Sequence, residues 1–152
     1  MLVADGHTLN FQVINPFTGK PCRATLLGFL DWKSGGLVGY DIMLEECTQN
    51  IASALRNVIL KMNHIPEYVY QDNGRAFKSK FFNGDKNFEE LGFTGVYNKL
   101  EIKPVYATPY NARAKVIERF FLDFQESFEK LIPSYIGTSI ENKPAYLMRN
   151  EK

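Results

Sequence analysis

Apolar and polar positions alternate along residues 2–14 (LVADGHTLNFQVI), most clearly where Leu9, Phe11 and Val13 share one parity, and the alternation predicts a first strand. Asn15-Pro16 and Thr18-Gly19 break it. Residues 22–32 (CRATLLGFLDW) are rich in strand formers and predict a second strand, and Lys33-Ser34-Gly35-Gly36 turns the chain into a third, LVGYDIML. Three sequential strands on short connections predict an antiparallel meander. Thr48 then stands as the N-cap of a helix whose apolar positions Ile51, Ala52, Leu55, Val58, Ile59 and Met62 recur at helical spacing, with Ile65-Pro66 just beyond its end. Tyr68-Val69-Tyr70 reads as a short strand stopped by the turn signal Asp72-Asn73-Gly74. Residues 83–98 are polar and glycine-containing, an irregular excursion with a helical turn or two, followed by a short strand over 103–107 and a loop over 109–115.

From residue 111 or 112 to 131, Ile117, Phe120, Phe121, Phe124, Phe128 and Leu131 keep the three-and-four spacing of a helix packed on a core, and Pro133 ends it. This order of elements predicts an α/β sheet layered with helices. Residues 133–152 show no period and read as a tail, a small appendage or a linker toward a further domain.

Composition narrows the class without naming a partner. At 152 residues, 45% hydrophobic and 14% aromatic, the chain has the material for one buried core. Eighteen Lys plus Arg against seventeen Asp plus Glu leave a net charge of +1, so any polyanion must be met by a local patch. Cys22 and Cys47 are too few for a disulfide framework and lack zinc spacing, which leaves reduced, structural thiols. No run of about 20 apolar residues is long enough to span a bilayer, and no signal peptide opens the chain, so it reads as intracellular, with no membrane partner. Asp5 stands only four residues after Met1, which suggests a domain excised from a longer protein with flanking domains.

Three acids carry candidate chemistry. Asp72 ends a short strand, where α/β sheets present functional groups, although Asp before Asn-Gly is also an ordinary turn former. Asp5 lies inside a predicted strand, where Asp is disfavoured unless it faces solvent or a ligand. Glu118 borders the aromatic stripe of the last helix, as a ligand or as a solvated glutamate paired with a nearby cation. His7 shares the face of Asp5 by alternation, either as a half-exposed strand histidine or as a group touching metal or substrate. Carboxylates from two strands and a helix suit hard cations such as Mg²⁺ or Mn²⁺, which favour oxygen ligands and retain waters for phosphates.

Tyr70-Gln71-Asp72-Asn73-Gly74 with Phe77, then Ala107-Thr108-Pro109-Tyr110-Asn111 and Ile117-Glu118-Arg119-Phe120, resembles the core of the DDE transposases and retroviral-type integrases. Val3-Ala4-Asp5-Gly6-His7 resembles its first-strand aspartate region, and Asp31-Trp32-Lys33-Ser34 with Leu37-Val38-Gly39-Tyr40 resembles the following hairpin. The separation of Asp72 from Glu118 looks closer to the phage Mu transposase than to retroviral integrases. The resemblance covers roughly residues 1 to 130, and it places a catalytic core over 1–132 with the tail over 133–152.

The resemblance implies a ribonuclease H-like fold, five strands in a mixed sheet with the first three antiparallel, flanked by helices. It implies a catalytic triad of Asp5, Asp72 and Glu118 holding two Mg²⁺ or Mn²⁺ ions, Asp5 and Asp72 sharing one and Asp5 and Glu118 the other, with Asp31 as competitor for the first position. DNA ends and target DNA are the implied partners, met by Asn73, Lys78, Arg113, Lys115 and Arg119 and less securely by Lys80, with a homo-oligomer assembling on DNA. The implied activity is metal-dependent phosphodiester hydrolysis followed by strand transfer, in the cytoplasm of a bacterial or phage-infected cell. A ribonuclease H-like nuclease without strand transfer, or an inactive DNA-binding or assembly module, are the alternatives. The segment over 83–98 is longer than retroviral integrases carry there, and the near-neutral charge also departs from the pattern.

Overall fold

The computed structural model describes residues 1–45, 47–85, 94–107 and 115–137. Strands β1 (Leu2–Thr8), β4 (Thr25–Asp31), β5 (Leu37–Met43), β6 (Tyr68–Gln71) and β7 (Lys103–Tyr106) make one sheet, in the order β5-β4-β1-β6-β7. β1 pairs antiparallel with β4, and β4 with β5, whereas β6 runs parallel to both β1 and β7. This is the mixed, ribonuclease H-like sheet that the resemblance implies, with its first three long strands antiparallel.

Parity along each strand sorts the core into two layers. Leu2, Ala4, Leu27, Phe29 and Val69 point to one face, where α1 (Thr48–Met62) covers them with Ile51, Ala54, Leu55 and Val58. Val3, Leu26, Leu30 and Tyr70 point to the other, where α4 (Lys115–Ser127) contributes Ile117 and Phe121. The helical spacing read from residues 51–62 is thus the stripe of α1 that meets the sheet. The chain leaves α1 through Asn63 in the left-handed conformation, before Ile65-Pro66.

Three boundaries differ from those the pattern predicts. The first alternating run is two elements: β1 stops at Thr8, and Val13–Ile14 (β2) pairs with Pro21–Cys22 (β3) in a separate two-stranded hairpin. Consecutive Leu9 and Asn10 are both buried, which interrupts the alternation, and between the two ladders the Leu9 amide donates to Ala24 O and the Arg23 Nε donates to Leu9 O. Thr48 is the first helical residue of α1 and Cys47 precedes it as N-cap, with no side-chain capping hydrogen bond. The last helix ends at Ser127, and Phe128 leads into a 3-10 turn at Glu129–Leu131. Phe128 and Leu131 are therefore 46% and 77% exposed, outside the core to which the stripe assigns them. Its predicted start at residue 111 or 112, like the loop over 109–115 up to residue 114, lies outside the described residues.

The excursion after β6 contains the short helices α2 (Lys80–Asn83) and α3 (Gly95–Lys99). Beyond Pro133, the Gln12 amide donates to Ser134 O and the Ile136 amide to Asn10 O, so the chain after the 3-10 turn lies along the segment between β1 and β2. Among the described residues no helix is long and apolar enough to cross a membrane.

Candidate functional site

Strand register settles how two of the three acids meet. β1 and β6 are parallel with Val3 opposite Tyr70 and Ala4 opposite Gln71, so Asp5 and Asp72 follow one residue later on neighbouring strands, about 5 Å apart in the pairing direction. Asp5 shares the parity of Val3 and Asp72 that of Tyr70, and both of these lie in the layer under α4. The Asp5 carboxylate is half-buried and accepts the Gly6 amide at 2.8 Å. Asp72 is exposed, and its Oδ1 accepts the Gly74 amide at 2.7 Å, which shapes the turn that ends β6. Asn73 ties this turn to the end of β7, its amide nitrogen donating to Ala107 O at 2.8 Å.

Asp31, the competitor, pairs with Leu2 at the amino-terminal end of β1, three residue pairs from the Asp5–Gly28 pair. Its carboxylate accepts the Ser34 amide at 3.0 Å within the β4–β5 turn, and that hydrogen bond holds its pKa below the ordinary carboxylate value. Asp31 leads into a turn, two strands across the sheet from β6 and three residues along it from the level of Asp5.

Glu118 is exposed in the first described turn of α4. The Phe121 ring passes over Gly28, where a Cβ would stand 3.6 Å from its Cζ, and stacks on His7 at 4.9 Å between centroids. One flank of α4, with Val116, Phe120 and Asp123, faces Gly35 in the β4–β5 turn, and Arg119 lines the same depression. With about 100° of rotation per residue, Glu118 takes the other flank, toward β1 and β6. The same flank carries Gln125, whose Oε1 meets Asn10 Nδ2 at 3.4 Å just past β1.

The architecture thus brings Asp5 and Asp72 together and turns Glu118 to their side of α4. Among the described residues, however, no group of three or more His, Cys, Asp or Glu forms a ligand cluster for a metal ion. The chemistry of the donors, with Asp5 in the middle of β1 and Asp72 just past the end of the neighbouring β6, suits a hard divalent cation.

The cations are spread more widely than the sequence suggests. Lys78 is exposed, its ammonium 5.3 Å from the centre of the Tyr106 ring, and Lys80 pairs with Asp85. Arg119 points away from Asp72, while Lys115 opens α4 and Arg113 lies outside the described residues. Arg75, exposed three residues beyond Asp72, is a cation near the turn that the sequence reading passed over.

His7 has a structural role that sequence reasoning left open. Its Nε2 lies 2.9 Å from Glu129 Oε1, and Glu129 is fully buried. Glu129 Oε2 accepts from Asn10 Nδ2 at 2.8 Å, and Asn10 Oδ1 accepts from the Arg23 guanidinium at 2.7 Å. None of Glu129, Asn10 or Arg23 stands out in the sequence, because their partners are 13 to 122 residues away. The available signal is Gln125, seven residues after Glu118 on the same helical flank, whereas Glu129 lies in the 3-10 turn beyond the helix.

No protein-family model and no curated protein sequence matches the chain. Solved structures do. The catalytic core domain of BIV integrase is similar with a TM-score of 0.57 at 16% identity, over 99% of this chain and 93% of that one. A chain of the simian T-cell lymphotropic virus intasome, solved in complex with PP2A regulatory subunit B56 gamma, is similar with a TM-score of 0.55 at 18% identity. The match covers 83% of this chain, which spans 41% of the length of that intasome chain. The fold is that of the retroviral integrase catalytic core.

Proposed function

We propose that this chain is the catalytic core of a DNA transposase or integrase, a metal-dependent polynucleotidyl transferase whose carboxylates are Asp5, Asp72 and Glu118. The observation that carries the reading is the placement of Asp5 and Asp72 one residue past the last paired residues of β1 and β6, under the helix that bears Glu118. Integrase-core architecture and the motif order of the sequence support the same assignment. The closeness to Mu-type enzymes rests on the length of chain between Asp72 and Glu118.

In this reading Asp5, Asp72 and Glu118 hold Mg²⁺ or Mn²⁺. When bound, two such ions activate the attacking oxygen and stabilise the leaving one in phosphodiester displacement. The protein's own part is to position. Asn73 holds the Asp72 turn against the end of β7. Lys78, Arg75, Lys115 and Arg113 supply phosphate contacts that fix register without reading bases, while Arg119 faces the other flank of α4. DNA ends and target DNA are the substrates, and joining two ends requires more than one copy of the chain on the DNA.

Calorimetric titration of wild type and Asp72→Asn with Mn²⁺ tests the assignment. Wild type binds and Asp72→Asn binds markedly less; equal binding by the two proteins overturns the metal reading. An oligonucleotide assay with a processed donor end and a target duplex then separates strand transfer from simple cleavage.

A further inference from the structure

A buried polar latch joins the strand that carries Asp5 to the helix that carries Glu118. Glu129 is fully buried and uses both carboxylate oxygens, Oε1 toward His7 Nε2 at 2.9 Å and Oε2 toward Asn10 Nδ2 at 2.8 Å. Asn10 is itself buried and its Oδ1 is held by Arg23 at 2.7 Å, while the Arg23 Nε donates to Leu9 O at 2.7 Å. The His7 ring is gripped on its face by Phe121 and at its edge by Phe124, at 4.9 and 6.5 Å between centroids. Six side chains, Glu129, His7, Asn10, Arg23, Phe121 and Phe124, are thus committed to one junction between β1 and the carboxyl end of α4.

This junction is placed to act on the candidate site. His7 lies two residues from Asp5 on the same face of β1, and Phe121 lies one helical turn from Glu118. Glu118, Leu122 and Gln125 follow one another at intervals of four and three residues, so they form a single flank of the helix, and Glu129 follows in the 3-10 turn just past its carboxyl end. Asn10 touches both Gln125 and Glu129 at the far end of that flank. A helix packed only through Phe120, Phe121 and Phe124 can roll on its aromatic stripe; directional hydrogen bonds at one edge of the stripe prevent the roll. A buried carboxylate is costly unless fully bonded, and a plain packing contact would serve cohesion equally well. What the polar latch adds is direction.

We infer that Glu129 is a positioning residue: through His7 and Asn10 it sets the rotation of α4 about its own axis and thereby aims Glu118 at Asp5. The inference rests on the assignment of Asp5 and Glu118 as metal-holding carboxylates. It extends the site to a second set of residues, Glu129, His7, Asn10 and Arg23, that bond one another beside the proposed carboxylates.

The test is a double-mutant cycle read by Mn²⁺ affinity, with the thermal midpoint of each protein recorded alongside. Wild type, Glu118→Ala, Glu129→Ala and the double variant are titrated with Mn²⁺. Glu118→Ala weakens binding, and Glu129→Ala weakens it by about tenfold, the loss typical of removing a group that orients a metal ligand. In the Glu118→Ala background the second substitution has no further effect on affinity, although it still lowers the midpoint. The same factor of loss with and without Glu118 marks a merely structural contribution and overturns the inference, as does unchanged affinity in Glu129→Ala. No change on Glu118→Ala removes the metal assignment itself, a failure visible before Glu129 is considered. Asn10→Ala, which leaves the His7–Glu129 bond in place, carries the same cycle if Glu129→Ala does not fold.

Discussion

Gly39 shows how tightly single residues are set in this protein. Its Cα faces α1 so closely that an added Cβ would stand 2.4 Å from Val58 Cγ2 and 2.9 Å from the Val58 backbone nitrogen. Gly39→Ala must push β5 away from α1, and we expect a loss of about 1–3 kcal/mol, the usual cost of overpacking a core. Urea denaturation measures it, and an unchanged midpoint would show that the strand and helix have slack. Such constraints leave no mark in the sequence, where Leu-Val-Gly-Tyr reads simply as a strand with a small residue. Asp72 is the contrary case, legible because its turn chemistry is local: the Asp72 carboxylate caps Gly74, two residues away. Glu129 could not be read, since its role depends on His7 and Asn10, whose chain separations from it are 122 and 119 residues.

Elements follow local pattern where they pack on one surface, and depart from it where a distant polar partner intervenes. The aromatic stripe of residues 117–131 predicts one long helix, yet the backbone breaks at Phe128, and Glu129 turns inward to the latch. The helix α3 offers a second polar pin, Tyr97, whose hydroxyl donates to Gln71 Oε1 at 2.7 Å beneath the end of β6. Burial raises the Tyr97 pKa well above the ordinary tyrosine value, with the nearby Tyr106 adding to the shift. An acid whose folded pKa is raised contributes stability that is complete below its unfolded value, about 10, and is lost as pH rises beyond it. Wild type should therefore lose stability more steeply than Tyr97→Phe above pH about 10, by at most about 1.4 kcal/mol per pH unit. Parallel unfolding slopes for the two proteins between neutral and alkaline pH would contradict this. At neutral pH Tyr97→Phe itself should cost about 1 kcal/mol, because Gln71 is fully buried and its Oε1 loses this donor.

For the whole molecule, stability should be graded from the sheet outward. β1 is central, paired on both sides, and sandwiched between the α1 and α4 layers, whereas the β2–β3 hairpin pairs only two residues on each strand and presents Phe17 88% exposed at its tip. Native-state hydrogen exchange should find the slowest amides in β1, β4 and β6 and fast exchange in residues 13–22; equal protection of hairpin and sheet would refute this gradient. By itself the sequence determined which segments are strands and helices of the central sheet, because period-two and period-3.6 patterns record which side of an element is buried. It also marked Asp72 and the order of motifs around it. Only the tertiary structure decided that Asp5, and not Asp31, lies beside Asp72, because strand register is a long-range property: β1 is set against β6 across some 65 intervening residues and against β4 by its own antiparallel pairing. The rotation of α4 was likewise decided only in three dimensions. Its aromatic stripe specifies the buried face, while hydrogen bonds from His7 and Asn10, close in space and remote in the chain, tie Glu129 in the turn just past its end to the β1 side of the sheet.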